Sequence, residues 1–160
     1  MSELRSLWEL KLHARLRLDG DFVAWGNGNI HSAQGEFVKL DDMPIYINSL
    51  DLAKKFRKFY KCMDKSDQFS IGQQMLRSSI SIPSNISEGV GRNSSDKMLL
   101  TYLGYAKGSL LEFSTQLHII EDDYHENDLY KQLKEKVISI DIEIFKFISY
   151  LEKKNNKVSK

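Results

Sequence analysis

The sequence predicts an all-α protein, an antiparallel up-down four-helix bundle with a short N-terminal β-hairpin or meander attached. Three observations carry that prediction. Apolar residues after position 40 recur at steps of three and four, the period of a helix with one buried face. Apolar residues from Leu10 to Leu18 instead alternate with polar ones, the period of a strand. Both tryptophans, Trp8 and Trp25, lie in the early stretch, and both prolines, Pro44 and Pro83, lie after it. The division is therefore residues 1–40 as an extension, 41–156 as the bundle and 157–160 as a disordered tail.

In the extension, Leu10, Leu12, Ala14, Leu16 and Leu18 share one face of a strand, with Lys11, His13, Arg15 and Arg17 on the other. Asp19-Gly20 then marks a tight turn, Phe22 to Trp25 a returning strand, Asn27-Gly28 a second turn and Gly35 to Leu40 a third strand. Three short strands bury little alone, so this segment must pack on something else or stay mobile.

The first helix opens at Pro44, where a first-turn proline is tolerated, behind Asp41 and Asp42. Its inner stripe is Ile45, Leu52, Phe56, Phe59 and Met63. A polar break at Asp64–Asp67 leads to a second helix carrying Ile71, Met75, Ile82 and Ile86, kinked at Pro83 and stopped by Gly89-Val90-Gly91. Ser94 or Ser95 caps the third helix, whose seam is Leu99, Leu103, Ala106, Leu110, Phe113, Leu117 and Ile120. After a turn at Asp122–Asn127 the fourth repeats it with Leu129, Leu133, Val137, Ile140, Ile144, Phe147 and Leu151.

Composition excludes several classes. With 23 Lys+Arg against 22 Asp+Glu, any basic site must be local. One cysteine, Cys62, forms no internal disulfide; it reads as a small buried residue in a reducing cytoplasm. No apolar run approaches the roughly 18 residues of a membrane span, and Arg5, Glu9 and Lys11 break up any signal peptide, so a cytoplasmic, membrane-free protein is expected.

Two features ask for a partner. Ile138, Ile142 and Phe145 lie about 180° from the main stripe of the fourth helix, at ~100° per residue. A bundle this small cannot bury both faces, which points to a homo-oligomer interface, with cover by the β-meander as the plain alternative. On the first helix, Lys54, Lys55, Arg57, Lys58 and Lys61 place five positive charges in eight residues, with Asp51 the only acid. Repeated around an oligomer, that stripe becomes a multivalent nucleic-acid-binding surface for phosphates, with Arg92 as a further contributor. A solvated helix face is the plain alternative.

The second and third helices carry polar residues where a core helix has few. Arg77, Asn85, Glu88, Ser109, Glu112 and Gln116 suggest a structural polar network pairing Arg77 with Glu112 or Glu88, and Asn85 with Gln116. No nucleophile–base spacing accompanies these carboxylates, so no catalytic residue is assigned, and no small-molecule substrate is expected. His118, Asp122 and His125 lie near one another, but no fixed ligand set completes a metal site, and neither metal nor cofactor is expected.

The run from Gln74 to Gly89, QMLRSSISIPSNISEG, followed by Gly91-Arg92, resembles the signature of the bacterial four-helix-bundle proteins encoded in intervening sequences of 23S rRNA genes. The stretch Gly108–Leu117, GSLLEFSTQL, is similar to that family's second motif, and Leu40–Tyr46 to its usual start. The resemblance spans about residues 38–153. It departs at Leu76-Arg77, where two adjacent basic residues are common, and at Val90, where an aromatic often stands. It implies a ring-like homopentamer, no enzymatic activity, and a distant similarity to accessory proteins of diversity-generating retroelements, which bind nucleic acid and a reverse transcriptase. The preferred expectation is an RNA- or nucleoprotein-associated oligomer. The alternative is a protein-interaction scaffold that presents residues 1–40 to a partner.

Overall fold

Apolar residues at helical spacing must bury a common face, and in this chain four helices do so together. The computed structural model describes residues 39–92 and 95–158, and, ahead of them, strand residues 24–26 and 29–31. The four long helices are α1 (Pro44–Tyr60), α2 (Gln73–Gly91), α3 (Asp96–Ile119) and α4 (Asp128–Val158). Helix α1 touches α2 and α4, and α3 touches the same two, so each helix has two neighbours around one core. Cross-helix bonds fix the directions. Ser78, Ser81 and Glu88 on α2 meet Gln116, Ser109 and Tyr102 on α3, an antiparallel order. Asn48 reaches Glu143 and Lys55 reaches Gln132, so α1 and α4 are antiparallel too.

At the centre, the rings of Phe56 and Phe113 meet edge to face, centroids 5.2 Å apart and planes at 90°. Every residue expected on the α1 stripe is buried, as is the α3 seam from Leu99 to Ile120. On α4, Leu133, Val137, Ile140, Ile144 and Leu151 are buried, while Leu129 and Phe147 pack partly exposed against the core. Tyr130 joins them, fully buried; its hydroxyl donates to the Leu117 carbonyl at 3.0 Å, and burial pushes its pKa to about 12.

The helix ends have local causes. Pro44 starts α1, with Asp41 and Asp42 in a 3-10 turn at Leu40–Asp42 just before it. The Ser95 hydroxyl accepts from the Met98 amide at 3.2 Å and caps α3. The Asn127 side chain accepts from Leu129 and Tyr130 at the head of α4. Between α1 and α2 the chain makes a helical turn at Lys65–Asp67 and a π-helical segment at Gln68–Gly72. The Tyr60 hydroxyl donates to the Gln68 carbonyl there, and the Gln68 side chain donates to the Met63 carbonyl.

Several expectations change. Helix α2 does end at Gly91, within the glycines expected to end it, with Arg92 still right-handed. Gly89 has a further role. A Cβ there would lie 2.7 Å from the Cβ of Tyr102, so glycine permits the close approach of α2 and α3. Cys62 is exposed, because α1 ends at Tyr60 and the thiol lies in the turn beyond, near the Lys58 carbonyl. Leu40 belongs to the 3-10 turn, not to a third strand. Helix α4 continues to Val158, into the stretch expected as a tail. Of the meander, Ala24–Gly26 pairs antiparallel with Asn29–His31, Trp25 opposite Ile30. The strand expected at 10–18, with Lys11, Arg15 and Arg17, lies outside the described residues.

A methyl group at position 89 has no free space, whereas at position 91 nothing lies within 4 Å. Gly89→Ala is therefore expected to cost about 1–3 kcal/mol through overpacking, and Gly91→Ala to be neutral or stabilising. Urea unfolding of the two variants against the parent checks the contrast.

Candidate nucleic-acid interface

Helix α1 is amphipathic in the strict sense. Leu52, Ala53, Phe56 and Phe59 are buried, so Lys54, Arg57 and Lys58 are turned outward, and Lys61 follows in the exposed turn. Lys55 lies at the border with α4, half-buried, its ammonium donating to the Gln132 side chain at 3.0 Å. The sole acid of the helix, Asp51, accepts from Lys136 of α4 at 2.9 Å and lies 4.0 Å from Lys55. Lys136 also donates to Asn48 at 2.8 Å. The negative charge of α1 is thus matched from α4, and the outer face keeps its positive charges.

Arg92 is placed differently. Its guanidinium grips the Glu88 carboxylate at 2.6 and 2.9 Å and lies 5.4 Å over the Tyr102 ring. The Tyr102 hydroxyl donates to the same carboxylate at 2.9 Å. Arg92 and then Tyr102 hold the Glu88 carboxyl below the usual carboxylate range. Arg92 is therefore already paired with an acid, unlike the exposed Lys54, Arg57 and Lys58 of α1.

The polar residues of α2 and α3 form a ladder between the two helices, with partners other than those expected. Ser78 donates to Gln116 at 2.9 Å, and Gln116 donates to Glu112 at 3.1 Å. Ser109 donates to Ser81 at 2.9 Å, and Asn85 donates to the Ser81 hydroxyl at 3.0 Å. Arg77 is exposed and pairs with neither Glu88 nor Glu112, since two residues along a helix from buried Met75 is about 200° around it. Asn85 likewise does not reach Gln116. Glu88 and Glu112 serve opposite ends of the ladder, and the ten helical steps from Tyr102 to Glu112 span roughly 15 Å.

The remaining candidates are scattered. His118 and His125 are exposed, their Nδ1 atoms against the carbonyls of Ser114 and Asp122. Among the described residues no three His, Cys, Asp or Glu side chains converge to hold a metal. Phe145 is exposed, and Ile138 and Ile142 are half-buried. The sequence reading missed Lys136, whose capture of Asp51 leaves the α1 charge unbalanced; its one signal was a lysine on the border of the α4 seam. No helix of the described residues is long and apolar enough to cross a membrane.

The family model described as 23S rRNA-intervening sequence protein matches residues 41–146. Among solved structures, the chain is similar to a protein of unknown function from the S23 ribosomal protein family of Bacteroides thetaiotaomicron. The two share 22% identity with a TM-score of 0.58, over 65% of this chain and 97% of that one, which shows a common fold. No curated protein matches.

The ladder is neutral where it is most buried, and this sets its energetic scale. Ser78 also lies within reach of the Gln74 and Met75 carbonyls, so Gln116→Leu leaves its hydroxyl a partner. The substitution is expected to cost about 0.5–1.5 kcal/mol, against about 3–5 kcal/mol for breaking a buried charge pair. Chemical denaturation separates the two values.

Proposed function

The chain belongs to the 23S rRNA-intervening sequence protein family, and on that premise we propose a non-catalytic, self-assembling four-helix bundle that associates with structured RNA through the outer face of α1. The observation that carries this reading is the unbalanced charge on that helix. Lys54, Arg57 and Lys58 are exposed on α1 and Lys61 in the turn that follows it, while Asp51 is held by Lys136. Phosphate contacts need cations whose charge is not already satisfied, and these four meet that condition better than Arg92 does. A single α1 face gives weak, sequence-independent binding. Repetition around a homopentamer, with Ile138, Ile142 and Phe145 at the subunit contacts, raises it by avidity.

The non-catalytic part of the reading is supported by the carboxylates. Glu88 is committed to Arg92 and Tyr102, Glu112 to Gln116, and the two do not share a pocket. The N-terminal residues 1–40 are assigned no part in the RNA contact. A cytoplasmic place of action fits the lone thiol.

Binding of a structured ribosomal RNA fragment by the full chain is expected at low salt. Lys54→Glu with Lys58→Glu is expected to weaken it about tenfold or more, with helical content unchanged. Absence of binding by the parent at low salt overturns the RNA reading and leaves the scaffold function, tested by partner capture with and without residues 1–40.

A further inference from the structure

Helix α3 has an outer face that water alone does not explain. Of the eight exposed residues between Met98 and Thr115, only Glu112 is charged. The line opposite the core runs Thr101, Gly104, Gly108, Leu111 and Thr115, spaced three and four apart, a second heptad track on a helix that already has one. A solvated helix face of this length ordinarily carries lysines and glutamates. Tyr105 and Leu111 are instead 58% and 54% exposed, and Ile119 beyond them 66%.

The two glycines sharpen the question. Glycine in a helix interior weakens the helix, and it is tolerated where something must come close. Gly89 has such a reason within the chain, because Tyr102 occupies the space a Cβ needs. Gly104 and Gly108 have none: nothing lies within 4 Å of a Cβ built at either. Their shallow lane is open to the outside, and its floor is backbone.

The same chain carries the matching ridge. On α4, Ile138, Ile142 and Phe145 form an apolar line in which Phe145 stands 62% exposed. A ring needs two different, complementary patches on each subunit, because a cyclic contact is head to tail. We propose that the α4 ridge of one copy seats in the Gly104–Gly108 lane of the next, with the helices antiparallel. This rests on the self-assembly proposed above and assigns its second, unmarked half.

Charge supports the occupant and the direction. With Phe145 over Gly104 in antiparallel register, Ile138 falls over Leu111 and Glu152 over Lys97. Asp141 falls over Gly108, beside Lys107. Ile138 thus meets an apolar residue and Glu152 a lysine, while Ile142 falls over Lys107, whose methylene stem can cover it as its ammonium faces Asp141. A parallel register with the same Phe145–Gly104 contact sets Ile138 over Lys97 and Glu152 over Leu111, losing both matches. The closest approach falls at the glycines, where the backbone lets a phenyl ring come nearest.

Sedimentation velocity of the full chain tests this, with circular dichroism reporting helix content. The parent is expected to assemble, and Gly104→Leu with Gly108→Leu to run as a monomer of unchanged or higher helicity. Lys97→Glu and Glu152→Lys are each expected to weaken assembly, and the two together to restore it. An assembled parent with glycine variants of the same size overturns the lane and leaves self-assembly standing. A parent that stays monomeric at high concentration overturns both. Should the leucine variants fail to fold, the charge reversals decide: no rescue by the double reversal overturns the proposal.

Discussion

The contact between Phe56 and Phe113 sets the orientation of α1 and of its basic face. Each ring is fully buried, and burial of a side chain this size contributes about 1.5–3 kcal/mol, with roughly another 0.5–1.5 kcal/mol from the edge-to-face pairing. Rotating α1 about its axis would take Phe56, Leu52 and Phe59 out of the core together. The helix is therefore locked in phase: Ala53 is buried beside them, Lys55 lies at the border with α4, and Lys54, Arg57 and Lys58 turn outward. The basic face follows directly from the core packing.

The opposite pair, α2 and α3, is held by different means. Leu99 and Tyr102 of α3 close against Gly89, and hydroxyls, amides and the Glu88 carboxylate join the two helices in a line from Ser78 to Tyr102. Neutral hydrogen bonds of this kind add little net stability each but fix register, because a slip leaves several partners unmatched at once. The small residues let the two backbones approach, and the approach makes the bonds possible. The motif at Gln74–Gly89 reads in this light as a packing device: Ser78 and Ser81 meet partners on α3, Ile82 and Ile86 lie in the core, and the last glycine lies against Tyr102, while Ile80 and Ser84 stay exposed.

Much of this was legible in the residues. The heptad seam of α3 and the stripe of α1 are buried as their spacing requires, and so is the α4 seam apart from half-buried Leu129 and Phe147, since periodicity needs only the apolar character of each position. Arg77 was legible too, as a residue about 200° from Met75, and its expected pairing with Glu112 runs against that angle. What spacing does not encode is the partner. Nothing local says that Ser78, and not Arg77, meets Gln116, or that Asp51 is taken by a lysine 85 positions later. Tyr130 was hidden for another reason: its polar hydroxyl masks a residue whose ring belongs to the core, and the Leu117 carbonyl that accepts it is a property of two packed helices. Glycine near a helix end has two readings, a stop or a close approach, and only the neighbouring helix chooses between them.

The central claim is that positive charge left over on α1 engages phosphates. The most direct measurement is the dependence of RNA affinity on salt concentration for the intact protein. Each neutralised phosphate releases counterions, so a logarithmic plot should fall with a slope of magnitude about 3 or more if the four α1 cations act together. A slope near zero would mean that any RNA contact is not made by charge, and would contradict the account at its root.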